Sequence, residues 1–231
     1  MSLLKLQFKK TRVELTAPSA LTCPVESYDI PENLKGARLA MAKLYKNYGA
    51  VIDEQCGIHK IETAAALAVM HIEAGGVGAY DAKTGLAVIR VEARRPILSR
   101  VRFPGGELEF KEKYGRGQVA EWKALSEWFS LEGENACYWT SFGLGQIMGF
   151  NYELVHCRNP IEVMVRAQSS AEESAKMFFD FVNSKKASPA LRSKDWLAFA
   201  RVYNGSSNAK AYAKRIGDSY ELAVSVLKTK S

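Results

Sequence analysis

A long apolar segment in the first third of the chain constrains the fold most. Residues 58–74, IHKIETAAALAVMHIEA, are apolar on most sides of a helix. Such a segment predicts a helix that is central in the fold, because every side of it must be covered by other elements. The paired glycines Gly75 and Gly76 follow directly, and we expect the helix to end there.

A carboxylate, Glu73, lies near the end of this helix, where the pattern favours another buried side chain. Helical spacing puts it on one face with Val69, Met70 and Ala66. Burial raises the pKa of a carboxyl group, and so does the helix C-terminus, whose dipole disfavours negative charge. A carboxyl that stays protonated near neutral pH suits a general acid. The alternative is an exposed residue in a fraying last turn.

Helical patterns fill most of the remaining chain. The run ARLAMAKLYKNY predicts a helix from Ala37 that stops at Gly49. The run QVAEWKALSEWF predicts an amphipathic helix, and one side of it carries Val119, Trp122, Leu125, Trp128 and Phe129. The later helices begin with capping signals. These are Asn159 before Pro160 and Ser170 three residues before Glu173. The last helix is predicted to run roughly from Asn208 to Lys228.

One region has the period of a strand instead. The run VGAYDAKTGLAVIRVE has a turn signal from Asp81 to Gly85 between two β-prone runs, and it predicts a hairpin. The fold class is therefore α+β, mainly helical with one small β-hairpin. Residues 1–35 alternate like a strand at Leu4, Leu6 and Phe8 and then carry three prolines. We interpret them as an extended arm, because they are too few to bury a core of their own. Residues 36–231 are expected to form the single domain.

A second carboxylate, Glu92, lies at the far end of the predicted hairpin. Strand alternation puts it on one face with Arg90, and with Arg94 if the strand continues. Neighbouring arginines favour the ionised form of a carboxyl. One protonated and one ionised carboxyl form the pair that glycoside hydrolysis commonly uses. The alternative is a surface residue paired with its arginine neighbours.

Two further segments carry polar side chains at unusual positions. SFGLGQIMGF is short and almost wholly apolar, with Ser141 as a candidate cap and Gln146 as its one long polar side chain. A buried Gln needs partners, and a sugar hydroxyl, a catalytic carboxyl or a loop backbone would each serve. FARVYNG brings Tyr203 and Asn204 to a helix end, and Tyr212 and Tyr220 follow. Such tyrosines either stack on pyranose rings or pack within the protein, and Asn offers both a donor and an acceptor.

Taken in order, HIEAGG, the glutamate of RVEARRPI, SFGLGQIMGFNY and FARVYNG resemble the phage endolysin N-acetylmuramidase family, lysozyme-like enzymes that act on peptidoglycan. They are also similar to lytic transglycosylases and goose-type lysozymes. The resemblance runs from about Ala37 to the C-terminus. It implies a lysozyme-like fold with a small hairpin at the active-site cleft, Glu73 as the catalytic acid and Glu92 as the second carboxylate. The expected substrate-binding residues are Gln146, Tyr203, Asn204 and Ser141.

The activity that the resemblance implies is hydrolysis of the β-1,4 bond between N-acetylmuramic acid and N-acetylglucosamine, with no cofactor and no metal. A lytic transglycosylase acting on the same bond, or a non-catalytic wall-binding protein of this fold, stays open as an alternative. The net charge of +7 favours an anionic partner such as the bacterial wall. We expect a monomer that binds peptidoglycan glycan strands and no nucleic acid, because no basic stripe is interleaved with aromatic residues.

The sequence also bears on where such a protein would act. No apolar run is long enough to span a bilayer, and MSLLKLQFKK lacks the apolar stretch of a signal peptide. We expect synthesis in a host cytoplasm, no stable membrane insertion, and action on the wall after release. The four cysteines have no metal-ligand spacing, and we interpret them as structural thiols: Cys23, Cys56, Cys137 and Cys157.

Overall fold

The computed structural model is mainly helical, and it describes residues 4–7, 12–15, 17–76, 78–92 and 107–228. The helices are α1 Gly36–His59, α2 Thr63–Glu73, α3 Glu107–Tyr114, α4 Gln118–Glu132, α5 Glu134–Tyr138, α6 Pro160–Ser169, α7 Ala171–Ser184, α8 Ser188–Ser193, α9 Trp196–Asn204 and α10 Ala209–Leu227. The strands are β1 Leu4–Gln7, β2 Arg12–Leu15, β3 Ile89–Val91, β4 Thr140–Phe142 and β5 Ile147–Met148. A 3-10 helix, Gly149–Val155, follows β5.

Helix α2 is the centre of the fold, as its composition predicts. Every residue from Ala64 to Met70 is buried, and the helix packs between α1 and α10. The predicted start at Ile58 is wrong, because α1 continues to His59. Lys60 then adopts a left-handed conformation with φ 53°, which ends α1 before α2 begins at Thr63. Small side chains fill most of α2, so its neighbours approach closely and exclude water between Ala64 and Met70.

Gly49 does not stop α1, contrary to the prediction. The helix continues past it, and part of the arm predicted for residues 1–35 lies against the helix at this point. The backbone N–H of Val25 donates to the Lys46 carbonyl at 2.9 Å, and Ala50 donates to the Cys23 carbonyl at 3.3 Å. A Cβ at Gly49 would lie 2.6 Å from the Val25 side chain. The glycine therefore makes room for the arm.

The β region differs in pairing from the predicted hairpin. The turn at Asp81 is present, because Asp81 Oδ1 accepts bonds from Thr84 and a bridge joins Tyr80 to Ala87. Strand β3, however, pairs with β4, and β4 pairs with β5, so the strands form one three-stranded antiparallel sheet. The described segment 78–80 belongs to the first β-prone run of the predicted hairpin, and its only β pairing is the bridge from Tyr80 to Ala87. The predicted positions Phe8 and Arg94 lie outside the described residues.

Side chains of α4 form hydrogen bonds with backbone groups at the edge of β3 that no strand covers in the described residues. The Gln118 amide accepts a bond from the Ile89 N–H at 2.8 Å and donates to the Ile89 carbonyl at 3.1 Å, as a neighbouring strand would. Glu121 accepts from the Val91 N–H at 2.8 Å, and Trp122 Nε1 donates to the Ala87 carbonyl at 2.9 Å. These bonds fix β3, and with it the backbone just before Glu92, to a rigid helix. Val119 is exposed, so its predicted place on the buried side of α4 is wrong.

The capping predictions for the later helices are confirmed. The Asn159 side chain accepts from the Glu162 N–H, and Ser170 accepts from the Glu173 N–H. Helix α9 ends at Gly205, and α10 begins after Asn208. No helix in the described part of the chain is long and apolar enough to cross a membrane.

Gly149 lets the end of β5 pass close to α5. A Cβ at this position would lie 2.0 Å from the Cys137 carbonyl oxygen, so a methyl group cannot enter without moving backbone. We expect Gly149→Ala to lower the free energy of unfolding by about 2–3 kcal/mol, measured by urea denaturation. The matched control is Gly57→Ala within α1, where nothing lies within 4 Å of the new methyl group. That change should be neutral or slightly stabilising. Equal stabilities for the two variants would contradict the steric explanation.

Candidate active site

A cleft of about 260 Å³ opens where the end of α2, the three-stranded sheet and α10 meet. Each of these elements contributes polar side chains to one concave surface. The lining residues are Ile72, Glu73, Arg90, Glu92, Ser141, Gln146, Met148, Asn204, Tyr212 and Arg215. Two carboxyls that are 19 positions apart in the sequence therefore face one space. Five of the six predicted site residues line it, and Tyr203 does not.

Glu73 is the last residue of α2, at the inner wall of the cleft. Burial raises the pKa of its carboxyl to about 7, and the negative charge of Glu92 acts in the same direction. The Tyr212 hydroxyl donates a hydrogen bond to Glu73 Oε1, and this bond and the positive charge of Arg215 lower the pKa. Burial outweighs them. Near neutral pH the group is thus divided between its protonated and ionised forms, as a general acid requires.

Glu92 directly follows β3 and lines the same cleft. Its backbone N–H donates to the Trp139 carbonyl at 3.0 Å, which extends the pairing of β3 with β4 by one residue. Its half-buried carboxylate lies 3.8 Å from Arg90 Nε. The predicted partnership of Glu92 with Arg90 is therefore present, and both residues line the cleft rather than an outer surface.

Gln146 is held by the protein on most of its polar atoms. Its Nε2 donates to the carbonyls of Val88, at 3.2 Å, and Gly143, at 2.9 Å, and its Oε1 accepts from the Ser141 hydroxyl at 2.9 Å. Its backbone is left-handed, with φ 46°, so the side-chain bonds support a strained turn between β4 and β5. Of the partners considered from the sequence, the loop backbone is the one present. One lone pair of Oε1 stays available to a ligand.

Ser141 lies within β4, so its predicted role as a helix cap is wrong. The segment SFGLGQIMGF forms a hairpin because Gly143 adopts φ 72° and Gln146 adopts φ 46°, which close a tight turn. The Ser141 hydroxyl is buried and bonded to Gln146. It lines the cleft and fixes the orientation of the Gln146 amide.

The tyrosine and asparagine at the end of α9 have different positions. Asn204 is exposed and lines the cleft, and its side-chain amide has no hydrogen-bond partner in the part of the chain that the structure describes. The Tyr203 hydroxyl donates to the Gly145 carbonyl at 2.7 Å, and its ring stacks on Phe199. Tyr203 therefore joins α9 to the β4–β5 turn behind the cleft wall. Tyr220 bonds to Glu62 outside the cleft lining.

Two residues of α10 complete the surroundings of Glu73, and sequence reasoning did not assign them to the site. Tyr212, considered only for stacking or packing, donates to the carboxyl, and Arg215, one turn later, adds a positive charge. Their spacing of three residues puts them on one helix face. The helical spacing of Tyr212 and Arg215 is visible in the sequence, but no nearby residue indicates that this helix face contacts Glu73.

Within the described residues, no group of three His, Cys, Asp or Glu side chains is arranged to hold a metal ion.

Arg215 gives a direct test of the electrostatics at Glu73. Its positive charge lowers the pKa of that carboxyl, so Arg215→Gln should raise this pKa further above its ordinary value. If Glu73 must be protonated for the reaction, the alkaline limb of kcat/KM moves to higher pH. The matched variant is Arg215→Lys, which keeps the charge and should keep the wild-type limb. Identical pH profiles for all three proteins would show that Glu73 is not the group that titrates there.

The chain matches one protein-family model and is similar to a solved structure. A family model described as N-acetylmuramidase matches residues 62–223, which include every residue that lines the cleft. Among solved structures, the chain is similar to a Burkholderia AP3 phage endolysin, with 24% sequence identity and a TM-score of 0.58. The match covers 78% of this chain and 72% of the endolysin chain, and at this identity it supports the fold. No curated protein sequence matches.

Proposed function

We propose, from the premise that this chain belongs to the N-acetylmuramidase family, that it hydrolyses the β-1,4 bond between N-acetylmuramic acid and N-acetylglucosamine. Membership makes the chain a peptidoglycan-degrading enzyme with a lysozyme-like fold. The specific bond and the roles of individual residues are our proposal. The observation that carries it is the pair of carboxyls in one cleft, with the pKa of Glu73 raised to about 7 and Glu92 beside a positive charge.

Glu73 donates its proton to the glycosidic oxygen as the bond to the leaving sugar breaks. Tyr212 donates a hydrogen bond to the carboxyl and keeps donating to the carboxylate that results. Arg215 also stabilises this negative charge. Tyr212 and Arg215 both lower the pKa of Glu73, so both assist the step in which Glu73 loses its proton.

Glu92 acts on the other side of the scissile bond. It either stabilises the positive charge that develops on the sugar ring or activates a water molecule for attack. Asn204 supplies an unpaired amide for sugar hydroxyl or N-acetyl groups, and Gln146 supplies the free lone pair of its Oε1. Tyr203 is assigned a positioning role through the Gly145 carbonyl.

A second candidate is lytic transglycosylation of the same bond. It is supported by the pKa of Glu73, since a single group that titrates near 7 can serve first as acid and then as base. The two reactions differ in their products, because the transglycosylase forms a 1,6-anhydro sugar that lacks one water.

The test is digestion of purified peptidoglycan with mass analysis of the soluble fragments. We expect fragments with a reducing N-acetylmuramic acid end. The configuration of the new anomeric centre, read by NMR immediately after cleavage, then separates the two roles of Glu92: inversion is expected if it activates water, and retention if it acts on the sugar ring itself. Fragments that all carry the anhydro end would replace the proposal with the transglycosylase. No fragment release at all would leave only wall binding.

A further inference from the structure

A second hollow, of about 340 Å³, lies beside the catalytic cleft at the turn between α9 and α10. Asn204 lines the cleft, and the hollow begins at Ser206, so only Gly205 separates the two linings along the chain. Gly205 adopts φ 86°, which turns the backbone sharply between them. On α9, Arg201 of the hollow and Asn204 of the cleft are three positions apart. On α10, Ala211 of the hollow and Arg215 of the cleft are four positions apart, so the two linings are neighbours on one face of each helix.

The lining of the hollow carries two positive charges and several polar groups. Its lining includes Arg201 from α9, Lys210 from α10, and the side chains of Ser206, Ser207 and Asn208 between them. Hydroxyl and amide groups of this kind bond to peptide groups, and the two cations attract carboxylates. Leu197, Ala209 and Ala211 supply apolar surface beside these polar groups.

Two cations near the hollow in the chain are paired with carboxylates, whereas the two cations of the hollow are not, within the part of the chain that the structure describes. Lys194, just before α9, lies 2.9 Å from Glu62, and Lys214 on α10 lies 2.6 Å from Asp218. Arg201 and Lys210 are exposed, and no carboxylate within the described ranges lies at ion-pairing distance from either. Their charges are thus uncompensated by the protein, and an anionic group of a ligand can pair with both.

We propose that this hollow binds the peptide stem of the peptidoglycan strand whose glycan lies in the catalytic cleft. The inference rests on the proposed function, because it takes the substrate to be a glycan with peptide branches that carry free carboxylates. Arg201 and Lys210 pair with those carboxylates, and Ser206, Ser207 and Asn208 bond to the peptide backbone. The enzyme therefore prefers glycan that bears acidic stems to the bare polymer.

The kinetic test compares two substrates: peptidoglycan fragments with intact stems, and the same glycan after the stems have been removed by an amidase. For Arg201→Gln/Lys210→Gln we expect KM on the stem-bearing substrate to rise about tenfold with little change in kcat. On bare glycan the variant should match the wild type. Lys214→Gln is the matched control, because it removes an exposed cation of α10 that does not line the hollow. An equal loss on both substrates, or no loss on either, overturns the inference.

A binding measurement separates this inference from the proposed function. Calorimetric titration of Glu73→Gln with a soluble disaccharide-peptide, and with the same compound after amidation of its carboxylates, needs no turnover. For Glu73→Gln, we expect amidation of the ligand to weaken binding about tenfold. For the triple variant that also carries Arg201→Gln and Lys210→Gln, we expect amidation to leave the affinity unchanged. If amidation weakens binding equally in both backgrounds, the hollow is not the site. Loss of cleavage by wild type on every substrate would instead contradict the proposed function.

Discussion

Replacing Glu73 by Gln is expected to reduce the rate of peptidoglycan cleavage by about 10²–10⁴-fold, the contribution typical of a positioned general acid. The amide has the shape of the carboxyl and can accept the hydrogen bond from Tyr212, but it has no proton to give. The measurement is release of soluble fragments from purified peptidoglycan by wild type and variant at pH 6. Binding of glycan fragments should change far less than the rate, because the chemical step alone is affected.

The matched control is Glu221→Gln, an exposed carboxylate of α10 that does not line the cleft. It should keep wild-type activity. If Glu73→Gln retains activity close to that of Glu221→Gln, Glu73 is not the acid.

Glu73→Gln should also change the free energy of unfolding, by an amount that depends on pH. The pKa of Glu73 is about 7 in the folded protein and 4.5 as its ordinary value, so ionisation opposes folding. The stability associated with the neutral carboxyl is complete below about pH 4.5 and is lost as the pH rises to about 7. Relative to wild type, Glu73→Gln should gain roughly 3 kcal/mol between pH 4.5 and pH 8.5. Urea denaturation at both pH values measures this gain, and a pH-independent difference would contradict it.

Replacing Glu92 by Gln is expected to lower the rate of hydrolysis by about a hundredfold or more, if Glu92 stabilises the developing charge or activates water. The hydrogen bond from its backbone N–H to the Trp139 carbonyl is unaffected, so the local fold should persist. The rate is measured by fragment release, with circular dichroism as the check on folding.

The size of this effect distinguishes the two candidate reactions. A transglycosylase requires only Glu73, so Glu92→Gln would then retain activity within a few-fold of wild type and release anhydro fragments. Arg90→Gln is the companion variant, because it removes the positive charge 3.8 Å from the carboxylate while leaving Glu92 itself in place. A smaller loss in Arg90→Gln than in Glu92→Gln is expected if the carboxylate is the reacting group.

Local patterns predicted much of the helical frame. The composition of residues 58–74 predicted a buried helix, which spans residues 63–73 in the structure, and the two glycines after it predicted its end. Asn159 and Ser170 predicted helix starts, because a cap depends on bonds that span only three residues. Each of these features depends on residues only a few positions apart, so it can be predicted from the sequence.

Patterns failed where a distant segment was needed to complete an element. Gly49 was expected to end a helix, yet its role is to admit Val25 of the arm. Ser141 was expected to cap a helix, yet it lies in a strand that pairs with Arg90. In both cases the same local sequence is compatible with two structures, and long-range packing selects one.

The sequence by itself determined that Glu73 lies at the end of a buried helix and that Glu92 follows a strand beside Arg90. Only the tertiary structure decided that the two carboxyls face one cleft and that Tyr212 and Arg215 meet Glu73 from a helix nearly 140 residues later. The physical reason is the distance along the chain over which each effect acts. Helix and strand periods act over a few residues, whereas the pKa of Glu73 depends on burial and charges that the packing of α2 against α10 and the sheet brings together.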